Sequence, residues 1–204
     1  MTPPSTSPLS PGAAQAWFGD AFSRLHPLLQ QLHRCGGTLD GVIDIETASG
    51  VAGFLGRRLA AKLGVPVTYP QCHFQVRVSH EQSRMVWARR FLLPDGTTRE
   101  LTSTFTPHGA YPDGFWSETT GSMQLRVGVE ITPDGGWQWR PRQVRLFGMP
   151  LPPGLFPSSQ AGKHIEDGQY RFEVSFAVPG FGRLLRYGGL LTAAFGTPAD
   201  MQCR

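Results

Sequence analysis

The strongest constraint on this chain is the change of period after Pro70. From there apolar side chains recur at every second residue. Cys72, Phe74, Val76 and Val78 share one face, and Met85, Trp87, Phe91 and Leu93 share the next. Leu101 and Phe105 follow, then Met123 to Ile131, Trp137 and Trp139, Tyr170 to Val178, and Leu184–Phe195. A period of two places alternate side chains on opposite faces of a strand. The punctuation between runs agrees with it. Asp-Gly occurs at 40–41, 95–96, 113–114, 134–135 and 167–168, and there is no asparagine. Asp-Gly suits the tight hairpin turn whose two central residues need positive φ. The pairs at 95–96 and 134–135 join consecutive strands directly.

The pattern predicts an α+β domain, a long curved antiparallel sheet of about seven to nine strands. Helical spacing is confined to the beginning. Trp17, Phe18, Phe22, Leu25, Leu28, Leu29 and Leu32 recur in Ala13–Arg34, and Pro27 kinks that helix or starts a second one at His26. Cys35-Gly36-Gly37 ends it. Thr38–Glu46 reads as a first strand. In Val51–Leu63, Phe54, Leu55, Leu59 and Leu63 are expected inward, with Arg57, Arg58 and Lys62 outward. Gly50, Gly53 and Gly56 are spaced for close helix–sheet packing. A sheet with one oily face curls up or is roofed by helices. The expectation is a half-barrel or helix-grip-like cup covered by the N-terminal helices; a closed calycin-like barrel is the alternative.

Length and composition limit the rest. A chain of 204 residues with 40% hydrophobic content makes one core. Residues 1–12, rich in Pro, Ser and Thr, read as a disordered tail, and 13–198 as a single α+β domain. The net charge of +4 comes from arginines, Lys62 and Lys163 being the only lysines. The arginines are dispersed, which argues against a nucleic-acid groove. Three separated cysteines fit free thiols in a reducing compartment. With no signal peptide and no membrane span, the expected location is cytoplasmic.

No catalytic motif is recognisable, and neither metal nor cofactor is expected. His80-Glu81 lacks the histidine a zincin helix needs, and there is no nucleophile elbow, Cys-x-x-Cys or Walker loop. Gly180-Phe181-Gly182 lacks the third glycine of a dinucleotide fingerprint. One residue breaks the pattern with consequence. Arg89 shares a pleat face with Trp87 and Phe91, so alternation aims a guanidinium into the core, where it needs an anionic partner. Glu118 is the nearest carboxylate by topology. The pair reads either as an anion clamp in a cavity or as a structural ion pair. His26 reads as a cap, Asp44 and Glu46 as a solvated face, and Trp137 and Trp139 as core. Tyr187 carries a polar tip on an apolar run. Leu146–Gly162 has no titratable side chain and prolines at 150, 152, 153 and 157, which exclude helix and central strand. It is expected to lie across a cavity mouth, with Met149 and Phe156 in its lip.

Taken in order, Leu25-His26, Trp87-Ala88-Arg89-Arg90-Phe91, Leu146-Phe147-Gly148-Met149-Pro150-Leu151-Pro152 and Leu185-Arg186-Tyr187-Gly188-Gly189-Leu190 resemble a bacterial domain family of unknown function. The resemblance spans about residues 20–192. Its members stand alone or follow a saccharopine-dehydrogenase-like NAD(P)-binding reductase. It implies no established activity or catalytic set, and it implies weight for Arg89, Glu118, Tyr187 and the proline segment. The functional expectation is a small-molecule-binding or accessory domain for an apolar, lipid-like, acidic compound. Trp87, Arg89, Phe91, Glu118, Met149, Phe156 and Tyr187 are the candidate ligand residues. Two alternatives stay open: an enzyme, or partner of a separately encoded NAD(P)-dependent reductase, acting on a lipid-like substrate; and a structural interaction domain.

Overall fold

The computed structural model describes residues 12–81, 83–120, 123–146, 148–150 and 158–196. The first helical stretch is broken into α1 (Ala13–Phe18), a 3-10 turn (Gly19–Arg24) and α2 (Pro27–Cys35). His26 caps α2, its Nδ1 accepting from the Leu28 backbone N–H at 3.2 Å, and Pro27 occupies the first turn, where no donor is needed. Gly36, at φ 79°, terminates it. Then come β1 (Gly37–Thr47), α3 (Gly50–Leu63), β2 (Gln71–Glu81), β3 (Arg84–Leu92), β4 (Thr98–His108), β5 (Phe115–Thr120), β6 (Met123–Ile131), β7 (Trp137–Leu146), the two-residue β8 (Met149–Pro150), β9 (Ser158–Glu166), β10 (Gln169–Val178) and β11 (Gly182–Ala194).

Four of the five Asp-Gly pairs lie in turns. The tightest is Asp167-Gly168, with φ 49° and 77°, between β9 and β10. The fifth, Asp40-Gly41, lies inside β1, where Gly41 lets the Leu190 carbonyl approach: a Cβ there would sit 2.6 Å from that oxygen.

The sheet is not open. Its strands run β6-β5-β4-β3-β2-β1-β11-β10-β9-β7, and β6 pairs with β7 as well. Ten strands thus close into an antiparallel barrel, with β8 a short addition on β7. The expected half-barrel is corrected to the closed alternative. The residues that close it are Trp137–Trp139, opposite Lys163–Ala161. β9 is absent from the expected strands because its inward positions, Ala161, Lys163 and Ile165, carry no run of large apolar residues.

The helices do not roof a sheet face. Trp17 Nε1 donates to the His108 carbonyl, Tyr111 N–H to Trp17, and His26 N–H to Gly135, so α1, the turn and α2 plug the barrel end bearing the β4–β5 and β6–β7 loops. Phe22, Leu25, Leu29 and Leu32 are buried in that plug. Phe18 packs edge-on against Trp137 and Trp17 against Trp116. α3 spans from the end of β1 to the start of β2, at the opposite end. Its orientation corrects the expectation: Phe54 and Leu55 are exposed, and the buried positions are Gly53, Gly56, Ala60 and Leu63. A small-residue stripe lets the helix backbone lie on β11. A Cβ on Gly56 would meet the Leu184 carbonyl oxygen at 2.2 Å. Residues 1–11, 151–157 and 197–204, hence the tail, Phe156 and most of the proline segment, lie outside the described residues.

Gly56→Ala tests this contact. Helix propensity alone favours alanine by about 1 kcal/mol, but overpacking costs about 1–3 kcal/mol. The expected outcome is a net loss of stability in urea titration, with Tm lower by about 2–4 °C per kcal/mol for a domain of this size.

Candidate functional site

Inside the barrel lies a cavity of about 110 Å3. Its wall is mostly apolar and aromatic, including Phe74, Trp87, Phe105, Trp139 and Phe172, with Leu63 and Leu101 towards the α3 end. Its charged lining residues are Arg89, Glu118 and Lys163. Tyr170 and Tyr187 also line it.

Of the seven expected ligand residues, Trp87, Arg89, Glu118 and Tyr187 come together here. Three do not join them. Phe91 is fully buried against Phe74, with ring centroids 4.7 Å apart. Met149 is exposed, at 66%, on the rim strand β8. Phe156 lies outside the described residues.

Arg89 points inward, as alternation requires. Its Nη1 donates to Ser103 Oγ, and its Nη2 lies 3.6 Å from Glu118 Oε1. The buried hydroxyls complete a circuit: Ser103 Oγ bonds Thr120 Oγ1, which donates to Glu118 Oε1 at 3.3 Å. At 3.6 Å the ion pair is too long for a hydrogen bond. A guanidinium carries five N–H donors. Among the described residues Ser103 is the only hydrogen-bond acceptor for them, so donors remain free beside the cavity.

Lys163 is the residue that sequence reading missed. Opposite Trp137 in the register, it is only 3% exposed. Its Nζ lies 4.1 Å from the ring centroid of Trp137, 4.3 Å from Trp87 and 5.4 Å from Trp139. Nζ is also 3.2 Å from His33 Nε2, and no carboxylate forms an ion pair with it among the described residues. His33, itself fully buried on α2, stacks on Trp87. With Nζ donating, Nε2 accepts, so the neutral imidazole carries its proton on Nδ1, which has no partner among the described residues. The signal was present in part: Lys163 is one of two lysines, and it alternates with Ala161 and Ile165.

Burial sets the electrostatics. It holds the Lys163 amine well below its ordinary 10.5; nearby Arg89 pushes the same way, and Glu118 opposes. Indole faces favour an ammonium by about 0.5–2 kcal/mol each, against a desolvation penalty of several kcal/mol per buried ion. Desolvation is the larger effect, so the hold of the amine on its proton is weakened. His33 is held well below 6.5 by burial, then by Lys163 and His80. Burial pushes the Tyr187 phenol up.

Among the described residues no group of three or more His, Cys, Asp or Glu could hold a metal ion, and no helix is long and apolar enough to cross a membrane.

Residues 25–191 match the family model described as Domain of unknown function (DUF4166). The chain belongs to this family. The match takes in nine of the ten barrel strands whole and β11 as far as Leu191, and leaves out α1, the 3-10 turn and the chain ends. No curated protein matches. In this DUF4166 domain the cavity wall, with Arg89, Glu118, Lys163 and Tyr187, therefore falls entirely inside the family region.

Stability should carry the signature of the buried bases. In the unfolded state Lys163 titrates near its ordinary value, so between the native value and 10.5 the unfolded chain binds more protons and stability rises with pH. Wild type measured against Lys163→Met by urea unfolding should gain stability as the pH rises towards about 10. His33 has the same sign at lower pH: its contribution is complete above 6.5 and is lost as pH falls through the native value. His33→Gln should flatten that acid limb.

Proposed function

We propose that this domain is a small-molecule-binding module that takes an apolar compound with an acidic head into the barrel. The observation that carries the proposal is that Arg89, Lys163 and Tyr187 line one largely apolar cavity. Apolar cavities with a few convergent polar groups are the usual form of ligand sites. The free guanidinium N–H groups supply donors for a carboxylate head. A carboxylate arriving beside Lys163 also offsets the cost of a buried ammonium, so acid binding takes up a proton there. At about 110 Å3 the free space admits a head and a short length of chain; an engineered cavity of about 150 Å3 is enough for benzene. A longer tail extends towards the end that carries α3 and β8. The family resemblance supports an accessory role, holding the compound for a separately encoded NAD(P)-dependent reductase.

Native mass spectrometry of gently purified protein should show a small acidic compound retained. Titration with pentanoate should change the fluorescence of Trp87 and Trp139. The variant that tests the head contact is Arg89→Leu combined with Glu118→Leu, because removing both members of a buried pair is often neutral for stability whereas removing one is not. Charge-assisted hydrogen bonds contribute about 1.5–3 kcal/mol, so the double variant should stay folded and bind pentanoate at least about tenfold more weakly. Unchanged affinity in a folded double variant would place the head elsewhere.

A further inference from the structure

We propose that Lys163 is a reactive amine that forms an imine with an apolar aldehyde or ketone entering the barrel cavity. The inference rests on the reading that this cavity admits an apolar molecule, and it names a chemistry that reversible binding does not require.

Geometry carries it. Lys163 is nearly fully buried and is among the residues that line the cavity, with its amine held away from bulk water. A structural buried lysine is normally held by a carboxylate; this one forms no ion pair among the described residues and is enclosed by the indoles of Trp87, Trp137 and Trp139. Glu118 lines the same cavity but is engaged by Thr120 and faces Arg89. A guanidinium, that of Arg89, lines the same cavity from the opposite side of the ring. Desolvation together with a neighbouring cation is the environment that turns a lysine into a nucleophile. The ionisable groups on the surrounding elements are His33 on α2, His80 on β2, Arg89 on β3, Glu118 on β5, Tyr170 on β10 and Tyr187 on β11.

The step balances without a co-reactant. The Nζ lone pair attacks the carbonyl carbon, forming a C–N bond as the C=O π pair moves to oxygen. His33 Nε2, 3.2 Å from Nζ, accepts an amine proton. The carbinolamine then loses its oxygen as water, which carries away both hydrogens of the amine, and a C=N bond remains. Nothing is oxidised or reduced. The aromatic wall excludes water from the product and slows its hydrolysis.

The composition makes the test clean, because Lys62, exposed on α3, is the only other lysine. The full chain is incubated at neutral pH with 2-pentanone or butanal and sodium cyanoborohydride, then mapped by peptide mass spectrometry. The neutral fraction of an amine rises about tenfold for each unit its pKa falls, so Lys163 should be labelled at least about tenfold faster than Lys62. Lys163→Met, which keeps length and apolar fit, should lose the fast label while retaining its circular dichroism; Lys163→Arg should lose it as well. Label on Lys62 and the terminal amine with none at Lys163 overturns the proposal. Titration of 2-pentanol, which has the shape but no carbonyl, separates the two readings. If 2-pentanol changes the tryptophan fluorescence and 2-pentanone leaves Lys163 unlabelled, imine chemistry is excluded and the binding module stands. If neither compound perturbs the fluorescence and no label appears, both are excluded.

Discussion

The structure depends on a seam of three residue pairs. Trp137, Gln138 and Trp139 on β7 lie opposite Lys163, Gly162 and Ala161 on β9. β7 reaches β6 on its other edge through a much longer ladder. Without the short seam the sheet would have two unpaired edges, each a row of unsatisfied donors and acceptors. With it, every edge of the ring is paired. Residues directly opposite in an antiparallel pair face the same side. The contact that closes the barrel therefore also pushes the Lys163 side chain between Trp137 and Trp139.

Ring size explains the aromatic content. An eight-stranded barrel has an interior that ordinary side chains just fill, and diameter grows with strand number. Ten strands enclose more space, and this chain occupies it with tryptophans: Trp116 and Trp137 are fully buried, and Trp17 enters from the helical plug. The plug is part of the same packing, since Phe18 and His33 both rest on Trp137. Fold and site are consequently not separable. The helix that seals one end supplies the imidazole that contacts Lys163.

Much of this was legible in the sequence, for physical reasons. Period-two alternation and Asp-Gly turns are local, so β2, β3, β4, β6, β7 and β10 could be read, as could the inward course of Arg89. Closure could not, because the β7–β9 pairing joins distant segments through a strand with weak alternation. The α3 face was misread for a related reason. Counting large apolar residues put Phe54 and Leu55 inside, whereas close approach to the Leu184 carbonyl selected the glycines. Lys163 and His33 are not legible as buried because the alternation of Lys163 with Ala161 and Ile165 is weak, and a lone lysine or histidine in a sequence carries little sign of burial. It acquires one only when the barrel closes around it.

The three charged side chains in the cavity do not balance. Glu118 faces Arg89 at 3.6 Å, and Lys163 forms no ion pair with a carboxylate among the described residues. A cavity wall with two cations and one anion pays twice, in repulsion and in desolvation, and there are two ways to relieve it. Lys163 can release its proton, which leaves a neutral amine in a dry aromatic enclosure. Alternatively an anion can occupy the space and restore neutrality, which keeps the ammonium. The first state is a nucleophile and the second is a salt bridge. Because the same proton distinguishes them, the two proposals are linked: a carboxylate head beside Lys163 would hold the ammonium's proton in place and suppress attack, while a neutral carbonyl compound would meet the free base.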